Sequence, residues 1–250
     1  MAWVETSSPS FRARHEAEDA GDAGRVLLAL EALREQLADT FPRTVEGVTV
    51  VLHPSVGSLA FARPLLPLVW FATAPAARRY IAGRAARDEL HVLRPAALLE
   101  RASNVPGSRE MLERTPAALY ARLVINENNR DLSERLTPAR INDELRWAWL
   151  LDGGARWFAG QTEHARPAIA RRMHEGRRPS FPPGLRDAPL LGGTVIDLLA
   201  REEGIQAAAQ FVSRLHPQGG RAALAKAFGG RALVHTEGTW RAHLARMAGG

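Results

Sequence analysis

Apolar positions in this chain recur with two different periods, and the change of period divides it. In the first half, short apolar runs stand between turn signals. Phe11 and Ala13 alternate with arginines over Ser10–Ala17, and Val48-Thr49-Val50-Val51-Leu52 follows Gly47 as an unbroken run, so both predict strands. Leu68–Ala72, Glu89–Leu93 and Tyr80–Gly83 read the same way. Between the first two lies Ala23–Phe41, where Val26, Leu27, Leu30, Leu33, Leu37 and Phe41 fall at helical spacing. From Thr115 onward the helical period takes over. Thr115-Pro116 and Thr137-Pro138 each set a hydroxyl N-cap before a proline at the first helical position, where a missing N–H costs nothing.

Leu119, Leu123, Asn126 and Arg130 share one face of the first of these helices. Ile141, Leu145, Ala148 and Asp152 share one face of the second, read as continuing to Gln161. Both apolar stripes run into polar residues, which need partners if buried. An ion pair between Arg130 and Asp152 is the expected solution. Gly153 and Gly154 inside a helix each cost about 1 kcal/mol relative to alanine, which predicts close helix packing there. Trp147, Trp149, Trp157 and Phe158 read as core.

Glu163–Gly176 continues as helix, and Arg177–Pro189, broken by Pro179, Pro182 and Pro183, is a loop or strap. Gly192–Glu203, Ile205–Leu215, Arg221–Phe228 and Thr239–Met247 are further helices, with Gly204, Gly219-Gly220 and Gly229-Gly230 as stops. The order predicts an α+β fold in one domain spanning 1–250. A small mixed sheet occupies a lobe over 1–115, and a mainly helical lobe covers 116–250.

Composition narrows the chemistry. There are no cysteines, so disulfides and thiolate metal sites are excluded. The net charge of +6 suggests polyanions, but the basic residues are nearly all arginine, dispersed among acids, with Lys226 the one lysine. That pattern reads as a solvated surface, and Arg-mediated nucleic-acid binding stands as an alternative only. Met1–Glu5 lacks a basic segment before an apolar core, and the most apolar run, Pro64–Ala74, is too short to span a bilayer. A soluble cytoplasmic protein with no membrane partner is expected. No two histidines lie at i, i+4, although His164 with His174 and His235 with His243 leave a composite metal site conceivable. No phosphate-binding glycine loop and no Gly-x-Ser-x-Gly elbow is present.

The two polar spots on the helix pair carry the most specific signal. Leu-Val-Ile-Asn-Glu-Asn-Asn-Arg (123–130), followed by Trp-Leu-Leu-Asp-Gly-Gly-Ala-Arg-Trp-Phe (149–158), resembles the core of the gluzincin zinc metallopeptidases. That family carries His-Glu-x-x-His on one helix and Trp-x-x-Glu-Gly-x-Ala-x-aromatic on the next. The resemblance matches Asn126 and Arg130 to the two zinc-binding histidines, Glu127 to the general base, and Asp152 to the distal zinc-binding glutamate. Arginine has no lone pair to give and asparagine offers only a neutral oxygen, so the set is not a zinc site. What the resemblance implies is therefore the fold without the activity: a pseudoenzyme with no cofactor. A groove between the sheet edge and the Thr115–Asn129 helix is then expected to take a peptide or protein by strand addition. The alternative is a hydrolase with another metal, held by Glu127 and Asp152 with Asn126 or at a relocated site.

Overall fold

The run Val48–Leu52 becomes the central strand of a five-stranded mixed sheet in the computed structural model, which describes residues 3–133, 137–175 and 178–249. Three strands and the long helix α1 come first along the chain: β1 (Trp3–Ser7), β2 (Phe11–Glu16), α1 (Ala20–Ala38) and β3 (Val48–His53). Three short helices follow, α2 (Val56–Ala62), α3 (Leu66–Ala72) and α4 (Pro75–Arg78), then the hairpin β4 (Gly83–Ala86) and β5 (Glu89–Leu93). The sheet order is β1-β2-β3-β5-β4, parallel in the middle and antiparallel at both edges. Parallel neighbours need a crossover, and α1 supplies the one from β2 to β3.

Side chains alternate across the strands. One face, with Phe11, Ala13, Val48, Val50, Leu52, Leu90 and Val92, is wholly buried beneath helices. The helices after the sheet are α5 (Pro95–Glu100), α6 (Ser108–Glu113), α7 (Thr115–Asn128), α8 (Pro138–Arg146), α9 (Ala148–Phe158), α10 (Arg166–His174), α11 (Ala188–Glu203), α12 (Ile205–Val212), α13 (Gly220–Ala227) and α14 (Leu233–Gly249). Helix α7 is the seam. It packs on α1, β4 and β5 on one side and on α9 on the other. Tyr120 sits edge-on to Phe11 at 5.0 Å between ring centres and donates to the Val45 carbonyl at 2.9 Å.

Several expectations are corrected. Leu68–Ala72 is not a strand but the body of α3, because Pro67 sits in its first turn; an apolar run this short does not by itself distinguish the two. The Tyr80–Gly83 strand begins only at Gly83. Strand β1 gave no signal, since none of its residues is buried and nothing alternates. The helix expected over Thr137–Gln161 breaks at Trp147, whose backbone (φ −104°, ψ 12°) leaves the helical region. Trp147 itself is buried. Thr137 does cap α8, accepting from Arg140 N at 3.1 Å, whereas Thr115 lies within α7 and makes no side-chain cap. Helix α11 starts four residues before the expected Gly192, with Pro189 in its first turn. Gly176 and Arg177, the end of one expected element and the start of the next, lie outside the described residues.

Gly153 and Gly154 are explained by packing. A Cβ on Gly153 would overlap the backbone of Gly192 in α11, and one on Gly154 would come within 2.6 Å of the Val212 side chain in α12. Helices α9 and α11 therefore touch backbone to backbone, and Trp147, Trp149 and Phe158 fill the core around them.

Candidate functional site

Of the four residues matched to the metallopeptidase motif, three to its ligands and Glu127 to its base, two converge and two do not. Asn126 and Asp152 meet, but through a third residue. Arg122, one turn before Asn126 on α7, donates from Nε to Asp152 Oδ1 at 3.0 Å, and its Nη1 makes a short hydrogen bond to Asn126 Oδ1. One guanidinium thus lies between the two side chains. Arg122 is largely buried, while the Asp152 carboxylate is 45% exposed, so the pair stands at the mouth of the α7–α9 contact rather than in the core.

The expected Arg130–Asp152 pair does not form. Helix α7 ends at Asn128, and Asn129 is extended (φ −97°, ψ 100°), so Arg130 is past the helix and exposed. The reason is local. Asn128 returns its side-chain amide to the Val124 carbonyl (2.8 Å) and reaches the Arg43 carbonyl (2.7 Å), satisfying the helix end from outside. Asn129 in turn donates to the Val212 carbonyl at 3.2 Å. Glu127 is exposed and paired with Arg43 at 3.0 Å. Residues 122 and 126 share a face of α7, and 127 is turned about 100° away from 126, so Glu127 and Asp152 address different arginines.

Beside the Arg122 bridge runs a second set of charges. Arg84 on β4 reaches Glu144 on α8 at 3.3 Å, and Arg140 holds the same carboxylate at 2.9 Å. Burial pushes the Glu144 carboxyl up, but Arg122, Arg140 and Arg84 together hold it below its ordinary value. Helix α8 buries none of its residues, and Ile141 and Leu145, at i and i+4, remain exposed. Strand β4 is an edge strand whose four residues are half-buried. Because Ala82 O accepts from Leu93 N (3.1 Å), alternation of the antiparallel ladder turns the backbone groups of Arg84 and Ala86 inward and those of Gly83 and Ala85 outward.

Three features escaped the sequence reading. A groove of about 1160 Å³ opens at the other end of α7, against Leu30 and Leu33 of α1, Pro116, Trp157 and Asp197. From Pro116 to Asn126 is about 15 Å along the helix, so this groove is separate from the Arg122 bridge. On its wall, burial would raise the Asp197 carboxyl, but His243 (2.9 Å), Trp157 Nε1 (3.1 Å) and Arg201 (2.9 Å) hold it down at about 2. The second feature is a chain on the far face of the sheet, buried at its two histidines and half-exposed at Glu89: His53 Nε2 to His91 Nδ1 at 2.9 Å, then His91 Nε2 to Glu89 Oε2 at 3.0 Å. A histidine at the end of one apolar strand and another inside a second was the available signal; 38 residues separate the two, so helical spacing does not link them. The third is Glu16, Glu18 and Asp19 gathered around Arg94, the one group of three metal-ligand side chains among the described residues, here shared by a guanidinium. No family model, curated protein or solved structure matches this chain.

Proposed function

We propose that this chain is a non-catalytic relative of the gluzincin metallopeptidases that binds an extended peptide along β4. The observation that carries the reading is the Arg122 bridge. The side chains matched to the first and last zinc ligands converge, and a fixed positive charge lies between them where a family enzyme would hold a metal. The residues do not fit zinc: a guanidinium cannot ligate, Asn126 is neutral, and Arg130 is outside the helix. Strand addition needs free backbone groups. Gly83 and Ala85 point unpaired N–H and C=O groups outward at the sheet edge, as strand addition requires, and exposed Ile141 and Leu145 on α8 offer apolar contacts for alternate side chains.

The metal half of the proposal is tested by melting metal-stripped protein with added zinc, magnesium or calcium. A ligand that binds the folded state alone must raise the melting temperature. No rise is expected with any of the three, and a zinc-specific rise lost in Asp152→Ala would overturn the reading. The peptide half is tested by selecting binders from a library of extended peptides. Binders should lose affinity for Ala85→Pro, which removes an outward N–H without touching the β4–β5 ladder.

A further inference from the structure

The apolar run Pro64–Ala74 is too short to cross a membrane, yet it is not buried either. Residues 64–77 contain no charged side chain and only one polar one, Thr73. In α3, Leu66 turns inward while Leu65, Leu68 and Phe71, at i, i+3 and i+6, are 50%, 65% and 86% exposed. Phe61, at the end of α2 just before, is 92% exposed. Exposed leucines are ordinary singly; two phenylalanines this bare, with two exposed leucines between them in sequence, are a patch, and the one charge in that stretch, Arg63, is turned to Glu89 at 2.9 Å.

At the C-terminal end of this patch three arginines are held together. Arg79 Nη1 donates to the Arg101 carbonyl at 2.9 Å, and Arg101 returns Nε to the Arg79 carbonyl at 3.1 Å and Nη2 to the Arg78 carbonyl at 3.3 Å. Arg101 also lies over the Trp70 ring of α3 at 5.7 Å. About half of the arginines among the described residues lie against a carboxylate, but none of Arg78, Arg79 and Arg101 does, and these three are gathered together. Like charges gathered without a counter-charge repel, and the cost is recovered when an anion is shared. An apolar face of Phe and Leu rimmed by unneutralised arginine is complementary to the boundary of a bilayer with anionic headgroups: acyl chains meet the rings, phosphates meet the guanidiniums.

We propose that α2–α3 with Arg78, Arg79 and Arg101 is a docking surface for an anionic lipid bilayer, on which the protein lies without spanning. The test is co-sedimentation of the full chain with vesicles of phosphatidylcholine alone and of phosphatidylcholine mixed with phosphatidylglycerol. Binding is expected to the mixed vesicles and to weaken with salt. Replacing both exposed rings (Phe61→Ser with Phe71→Ser) should lower partitioning by about tenfold or more. Arg78→Gln should lower it about fivefold, the share of one basic residue near such a surface. These side chains are exposed, so melting temperatures should stay at the wild-type value. Arg221→Gln on α13 removes the same charge elsewhere and should change little. Failure of the wild type to sediment with mixed vesicles, unchanged sedimentation of the Phe61→Ser/Phe71→Ser protein, or an equal loss with Arg221→Gln overturns the proposal. So does a lipid-free dimer that the double variant converts to monomer, which would assign the face to a second copy of this chain.

Discussion

His53 and His91 share one line of protons, and the line keeps His91 neutral. His91 Nε2 faces the Glu89 carboxylate, which can only accept, so His91 donates there and its Nδ1 must accept from His53 Nε2. A second proton on His91 would set two N–H groups against each other. Burial, with His91 and Arg63 adding repulsion, lowers His53 from the ordinary 6.5 to about 4. The unfolded chain therefore takes up this proton near pH 6.5 and the folded chain only near 4. Stability from this residue is complete above pH 6.5, is lost as pH falls from 6.5 to 4, and changes no further below; the total is about 3 kcal/mol. Urea melts at several pH values should show this slope, and His53→Gln, which keeps a donor toward His91, should flatten it.

The Arg122 bridge is a weaker bond than the buried pair the sequence predicts. With the Asp152 carboxylate 45% exposed, solvent screens it, and Asp152→Ala should cost about 1 kcal/mol or less by denaturant melting. A loss of about 3–5 kcal/mol would mean that the pair behaves as buried. Arg122 lies four residues before Asn126, on the same face, and was legible as a partner. What could not be read was that two consecutive asparagines end α7 before Arg130.

Among elements, the contact of α9 with α11 sets the tolerance of the helical lobe. Gly153 faces Gly192 so closely that an added methyl would meet main chain rather than a movable side chain. Gly153→Ala should therefore cost about 2–3 kcal/mol despite alanine's better helix propensity. Gly24→Ala in α1, where nothing lies within 4 Å of the new methyl, should stabilise by up to about 1 kcal/mol. Thermal melts of the two variants compare packing with propensity directly, and a neutral Gly153→Ala would mean that the two helices are free to separate. The glycines were legible as helix-packing residues; their partners, Gly192 and Val212, were not. The same limit applies to α8 and α9. The stripe Ile141, Leu145, Ala148 is continuous in sequence, but the chain turns at Trp147, leaving the first two residues exposed and Ala148 buried.

At the scale of the molecule, charge and apolarity are distributed unevenly. The net +6 is spread over a surface where about half of the described arginines have acidic partners, whereas Arg78, Arg79 and Arg101 gather without one beside an uncharged face. The sequence by itself determined the strands β2, β3 and β5, the long helices, the glycine stops and the absence of thiol chemistry. Each of these follows from local periodicity, backbone freedom or composition, which need no knowledge of distant residues. Only the tertiary structure decided that β4 forms the open sheet edge, that Arg122 rather than Arg130 reaches Asp152, that His53 meets His91, and that Pro64–Ala74 faces outward. These depend on which faces pack, and an apolar residue reads the same in sequence whether it is covered or left bare.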